Sequence, residues 1–552
     1  MPPKRKDFLK PKPKGKLKAQ EPQSENDFLE AADEHEQAAG KWRAGDAAKA
    51  TRFFQRAIDM YNEGLKRYPL SFDLAYNKAN LEYNITEDDR IVAHLGNRTS
   101  LLEETLNSHR FAISLSPSNT DVLFNAAQVL TSLAEMQLEK GTQRTTKHEA
   151  RPLLEEAVDI FTRCLASQQQ EYARIQSEIA KAQASGEYQE AWEGERQQPP
   201  SVQDGDMDTV SSTSDTPGDW ATVEEPVTLE SILETCTAQL SALTNLLGLY
   251  DPNVDLSSIE KKAEDGLDTA TSKIPALIEL IDKSPKRSVR EEPTAGPTLS
   301  IGSTAAAEEE TTNPKDDAVL AAANFQASIA EVTYRSGRST STEYAQAVEQ
   351  TFNTLTSASG GGAGTLTTIN TQSAYADALM DLASALADGG QHTASLPTFS
   401  TDVETQWTAL TQAQAILTQL SSAPYISVLS ASRLADIFLA RGDTDLFRFR
   451  ISRVEGAKPA WVKSKPVLIA NAGVFYRGAR SYADRAGLAE VRSTADAKAV
   501  IAEIVKEAAS GSSVVKDNWK GKSVAVHNVL EQMVEEGTIG REEVDGVLHA
   551  VQ

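Results

Sequence analysis

Histidines 35, 94, 109, 148, 392, 527 and 549, with Cys164 and Cys236, are the chain's neutral-pH acid–base groups and soft metal ligands. No two histidines stand at the spacing at which one helix face holds a metal, so no metal site is expected. His35 and His109 fall on apolar stripes. An imidazole there is either a buried titrating group or packed core, and packed core is the expectation. Cys164 and Cys236 also fall on apolar stripes, where a thiol is ordinarily inert. Two cysteines build neither a disulfide framework nor a four-thiolate zinc ribbon. Gly521-Lys522-Ser523 is only the tail of a phosphate-binding loop, because Lys516 occupies the place of its first glycine. Gly360-Gly361-Gly362-Ala363-Gly364 follows no strand and reads as spacer rather than dinucleotide turn. There is no Gly-x-Ser-x-Gly elbow. The many carboxylates lie on solvated faces, and no two stand out as an acid–base pair. The residues therefore predict a non-enzymatic protein with no cofactor, metal or small-molecule substrate.

Charge is the stronger clue. The chain has 552 residues and a net charge of −24, yet Lys4, Arg5, Lys6, Lys10, Lys12, Lys14, Lys16 and Lys18 face only Asp7 in the first twenty. Pro2, Pro3, Pro11 and Pro13 oppose helix there. A basic arm on an acidic body has three readings: a nuclear-localisation signal, a nucleic-acid contact, or a solubilising tail. The acidic body would repel a polyanion and attract a basic protein. No apolar run approaches the ~18 residues of a membrane helix. No apolar segment follows the basic start, so no secretory signal is expected. A reducing compartment, cytoplasm or nucleus, is expected.

The elements that must position a site are helices, and the spacing predicts them in pairs. Phe28, Ala31, His35, Ala38 and Trp42 share one helical stripe, which stops at Ala44-Gly45-Asp46. Ala47, Ala50, Phe54, Ala57, Tyr61 and Leu65 form a second. A third follows Ser71, a candidate cap, with Phe72, Tyr76, Ala79 and Tyr83. A fourth runs from Leu101 to Leu115. A fifth follows Asn119, with Leu123, Ala126, Ala127, Leu130 and Leu133. A sixth, with Leu154, Ala157, Phe161 and Leu165, takes Pro152 in its first turn. Apolar periodicity returns at 228–250 with Leu229, Ile232, Leu233, Cys236, Leu240, Leu243 and Leu247. Further helices are predicted over 257–282, 316–336, 341–356, 373–388, 402–421, 425–441, 443–453, 465–485 and 494–509.

In the first of these pairs Ala50, Phe54 and Ala57, then Thr105, His109, Ala112 and Pro117, and more loosely Ala150, Leu154 and Ala157, resemble the second helix of the tetratricopeptide repeat. Ala38, Ala79 and Ala127 resemble the small crossing residue of its first helix. That family is built of helix pairs of about 34 residues. The resemblance covers 28–165. It departs from the pattern in an insertion around 84–100, an overlong second helix at 47–68, and a polar insert around 140–149. It implies an all-α, helical-repeat solenoid of antiparallel pairs whose concave groove binds another protein. By repeat alignment Asn77 and Asn125 face that groove, with Asp121 a turn earlier; two solvent-exposed amides are the other reading. Some family members clamp the C-terminal Glu-Glu-Val-Asp of ATP-driven chaperones. Here Asn77 matches one clamp asparagine, but Ala39 replaces another, and Asp121 and Asn125 stand where cations are needed, which argues against a clamp. Glu542-Glu543-Val544-Asp545 is internal, lacks the free carboxylate a clamp reads, and is taken as coincidence.

The predicted organisation is a basic tail (1–27), tetratricopeptide-like repeats (28–165), a polar helical extension (166–198), an acidic linker (199–225), a helical pair (226–283), a second linker (284–314), degenerate helical repeats (315–510) and a C-terminal helical segment (511–552). The expected function is a scaffold or adaptor holding protein partners, with a basic client under escort as the sharper form. An RNA-associated factor using the basic arm is the alternative.

Overall fold

The computed structural model describes residues 21–139, 144–185, 226–252, 254–283, 312–358, 365–387, 398–511 and 523–551. Among them there are helices and turns and no strand, so the chain is all-α. It divides into two units, Met1–Pro117 with Met207–Glu224, and Ser118–Asp206 with Glu225–Gln552. The 28–165 stretch contributes helices to both. The first predicted linker, residues 284–311 of the second, the tail up to residue 20 and the glycine run at 360–364 lie outside the described residues, and the second linker's last residues, Asn313 and Pro314, cap and begin a helix.

In the first unit α1 (Glu25–Arg43) starts at a capping box: the Ser24 hydroxyl accepts from the Asp27 N–H, and the Asp27 carboxylate accepts from the Ser24 N–H. The turn at Gly45 leads to Asp46, which caps α2 (Ala47–Arg67) by accepting from the Lys49 N–H at 2.9 Å. Ser71 caps α3 (Phe72–Thr86) as its type and position predict. The insertion contains a short α4 (Asp89–Leu95), and Asn97 caps α5 (Arg98–Leu115). Phe28, Ala32 and Ala39 of α1 close onto Ala50, Phe54, Ala57 and Tyr61 of α2, with Leu74 and Leu81 of α3 completing the cluster. The small residues let backbones approach while the aromatics fill the grooves.

Two predicted faces are corrected. The buried face of α1 is Phe28, Ala32, Glu36 and Ala39, one residue on from the predicted Ala31, His35 and Ala38, because a glutamate occupies a core position. On α3 only Ala79 of the predicted stripe is buried. The core side is Leu74, Ala75, Leu81 and Ile85, and Phe72 and Tyr76 stack on each other half-exposed, ring centroids 5.7 Å apart.

The second unit begins with α6 (Thr120–Glu139) and α7 (Arg144–Ser185), whose predicted apolar residues are buried. Pro152 lies well inside α7 rather than in its first turn, since the helix starts at Arg144. Next come α8 (Leu229–Leu247), α9 (Leu256–Asp268), a π-turn (Thr269–Lys273) and α10 (Ile274–Lys283). The π-turn sits where the buried Thr269 hydroxyl meets Gln239 Oε1 of α8 at 3.2 Å, and Gln239 donates to Thr162 Oγ1 of α7 at 3.0 Å. Then follow α11 (Pro314–Arg335), α12 (Ser341–Ala358), α13 (Leu366–Ala387), α14 (Phe399–Leu420), α15 (Ala431–Ile451), α16 (Pro459–Ala486), α17 (Ala489–Ala509), α18 (Ser523–Glu535) and α19 (Arg541–Val551).

In the first unit α1 packs on α2, α2 on α3 and α3 on α5; in the second α6 packs on α7, α7 on α8, and each helix from α11 to α18 on the next, while α8 also packs on α11, and α11 on α13. The helices predicted over 425–441 and 443–453 are one helix, α15, preceded by a 3-10 turn at Tyr425–Ser427. Gly442, read as a break, is a close-approach site: a Cβ there would stand 2.4 Å from the Tyr476 ring of α16.

Candidate functional site

Five helices of the second unit, α6, α8, α11, α12 and α13, line a recess of about 440 Å³. Its walls are short and polar where they meet: Thr244 and Asn245 from α8, Asn324, Ser328 and Glu331 from α11, Asp377 and Asp381 from α13. Helix periodicity produces this. Asn324, Ser328 and Glu331 are four and three residues apart, and Asp377 and Asp381 four apart, so each set projects from one face. The opposite faces of α11 and α13 carry the core, with Phe325, Leu379 and Leu382 buried.

The site is strongly acidic. Arg335 pairs with Glu331, Nε to Oε1 2.7 Å, and Asn245 donates to Glu135 of α6 at 3.0 Å. Asp377 and Asp381 remain solvent-accessible at the mouth, but the surrounding walls thin their hydration. Enclosure, reinforced by Glu331 and Asp377, pushes the Asp381 carboxyl up to about 8, with Arg335 opposing. Enclosure, then Asp436, pushes Asp377 up to about 6. From α12, Tyr344 reaches the recess, 2% exposed and stacked on Tyr334 with centroids 5.7 Å apart. Burial, followed by the charges of Glu331 and Asp381, holds its phenol well above the ordinary range.

Asn77 lies on α3 in the first unit, half-buried, while Asn125, half-buried, and Asp121, exposed, lie on α6 in the second. The α6 residue lining the recess is Leu138. In the first unit a separate hollow of about 450 Å³ is lined by Asn62, Lys78, Glu82, Glu104 and Phe111. There Lys78 pairs with Glu82 at 3.1 Å and donates to Ser108 at 2.9 Å. The localisation candidates Lys4 to Lys18 lie outside the described residues.

His109 is fully buried, with its Nδ1 hydrogen-bonded to the Thr105 carbonyl at 2.9 Å, and burial pulls it down to about 4, so it stays neutral. Burial raises Cys164 to about 12, with Asp121 adding to it, and Cys236 to about 11. Glu542–Asp545 lie at the start of α19, where Glu543 accepts from the Gly540 N–H and pairs with Arg453 in the turn after α15. Among the described residues no group of His, Cys, Asp or Glu is placed to hold a metal ion, and no helix is long and apolar enough to cross a membrane.

Two buried ionic features escaped the sequence reading. Glu36 accepts from the Tyr61 hydroxyl at 2.6 Å, and burial pushes it up to about 7. Lys498, 3% exposed, is held by both Asp443 oxygens (2.8 and 3.0 Å), with Tyr476 donating to Asp443 at 2.8 Å and Glu536 at 3.7 Å. Burial pulls Lys498 down, but Asp443 and Glu536 more than offset it.

No protein-family profile matches the chain. A curated relative, UPF0656 protein C926.02 of Schizosaccharomyces pombe (strain 972 / ATCC 24843), is 30% identical over 111 residues, covering 20% of this chain and 24% of that protein. The matched stretch thus spans about a quarter of that relative's length. A solved structure, "Circular tandem repeat protein with novel repeat topology and enhanced subunit contact surfaces", aligns over 95% of this chain and 98% of its own at 12% identity, with a TM-score of 0.28.

Proposed function

We propose that the chain is a non-enzymatic scaffold of tetratricopeptide type that holds protein partners and escorts a basic client between cytoplasm and nucleus. The observation that supports this best is the acidic recess, where successive helices turn Asn245, Asn324, Glu331, Asp377 and Asp381 toward one space. Amides on a helical-repeat wall bond a guest's backbone without reading its sequence, and carboxylates select a cationic guest. The acidic balance of the whole chain favours encounter with such a guest. The basic arm supplies the nuclear-entry element of this reading.

The test is affinity purification from the native cell with mass spectrometry. The intact chain is compared with a deletion of residues 1–20 and with Asn77→Ala/Asn125→Ala. A stoichiometric basic partner retained after nuclease treatment is expected. Partners lost with the arm and with nuclease would replace this reading with an RNA-associated one.

A further inference from the structure

We infer that the recess between α8, α11 and α13 seats a lysine or arginine side chain of the bound polypeptide, with Asp377 and Asp381 as its carboxylate partners and the Tyr344 hydroxyl as a third oxygen. This rests on the reading of the chain as a scaffold for a basic partner, and gives that partner a place.

Three observations converge. The first is unbalanced charge. Arg335 already neutralises Glu331, whereas no cation among the described residues pairs with Asp377 or Asp381. Burial, followed by like-charge neighbours, raises both carboxyls, and an incoming cation offsets the like-charge repulsion. The second is an unmet hydrogen-bonding group. The Tyr344 ring is 2% exposed and lines the recess, yet among the described residues its hydroxyl makes no hydrogen bond. The hydroxyl oxygen is not sealed from solvent, so a guest can reach it, and it lies within the influence of Glu331 and Asp381. An ammonium carries three donors and no acceptor, which two carboxylates and a phenol oxygen satisfy together. The third is the rim. Asn245 and Asn324 stand beside the acidic pair and offer amides to the backbone carrying the cation. A phosphate-bearing guest is opposed by the same charges.

The test uses the full chain and a fluorescein-labelled lysine–alanine peptide, with a glutamate–alanine peptide as control, read by fluorescence anisotropy at physiological salt. Asp377→Asn/Asp381→Asn is expected to weaken the lysine peptide about tenfold or more. Tyr344→Phe is expected to weaken it about threefold with an unchanged helical signal. Asp59→Asn/Glu63→Gln changes net charge equally but lies on exposed α2 positions, and is expected to leave binding unchanged. Wild-type binding that survives in the Asp377/Asp381 variant overturns the recess assignment and leaves the basic-partner reading standing. Equal weakening in both double variants overturns it in favour of a diffuse field. Failure of the wild-type chain to prefer the lysine peptide removes both readings. Tighter peptide binding on deleting residues 1–20 overturns the partner assignment, because the chain's own arm is then the occupant.

Discussion

Glu36→Gln should stabilise the α1–α2 pair at neutral and alkaline pH. Glu36 is 7% exposed and accepts from the Tyr61 hydroxyl of α2. Burial, with Asp33 adding to it, raises the carboxyl from 4.5 to about 7, although the Tyr61 bond favours the ionised form. The folded state thus prefers the protonated acid. That contribution is fully present below pH 4.5 and is lost as pH rises through 7. A shift of about 2.5 units at ~1.4 kcal/mol per unit sets an upper bound of about 3 kcal/mol. Glutamine keeps the acceptor and the shape but cannot ionise, while its amide adds a buried donor, so about 1–3 kcal/mol of relative stabilisation is expected at pH 8. Near pH 4.5 wild type and variant should be nearly equal. The assay is urea unfolding of the full chain from pH 4.5 to 9, with α1 and α2 followed by pulsed hydrogen exchange of peptides from 25–67. Parallel pH profiles for the two proteins would refute the reasoning, since the carboxyl would then not be ionising against burial.

Two further outcomes follow from buried groups. Lys498→Met should destabilise the α15–α17 region by about 3–5 kcal/mol in urea unfolding, because it strands the buried Asp443 carboxylate, and adding Asp443→Asn should recover much of that loss. Cys164 and Cys236, raised by burial to about 12 and about 11, should resist maleimide at pH 8 in the folded chain and react in urea; rapid native labelling, read by mass spectrometry, would contradict their placement.

Local signals carried most of the fold into the sequence. Ser71 and Asp46 cap helices where their types and positions say they should, and the leucine stripes of α6 and α8 are buried as their spacing requires. The errors have a common cause, which is that a residue's partner lies far along the chain. Glu36 disqualified the true core face of α1 because its acceptor role depends on Tyr61, a helix away. Gly442 suggested a helix break because the ring that needs its missing Cβ, Tyr476, comes 34 residues later. Pro152 looked like a helix start because nothing local shows that α7 begins at Arg144. The recess was the least legible feature. Asp377 and Asp381 read as solvated surface and are exposed, but only the packing of α8 and α11 against α13 sets them at the mouth of a recess. Asn77, Asn125 and Asp121 were selected by repeat alignment, which knows the position in a helix pair but not which helices close around a space.

The latch at the far end of the second unit has a consequence for biosynthesis. Arg450 finds its acceptor, the Gly537 carbonyl at 2.6 Å, in a residue that emerges later from the ribosome, and Lys498, already held by Asp443, gains Glu536 at 3.7 Å. Arg453 likewise waits for Glu543. A nascent chain stalled between residues 510 and 535 therefore holds Arg450 and Arg453 without these acceptors and an apolar α17 surface without its cover. A copy that lacks α18 and α19 would therefore present the apolar surface of α17 to the cell's proteases.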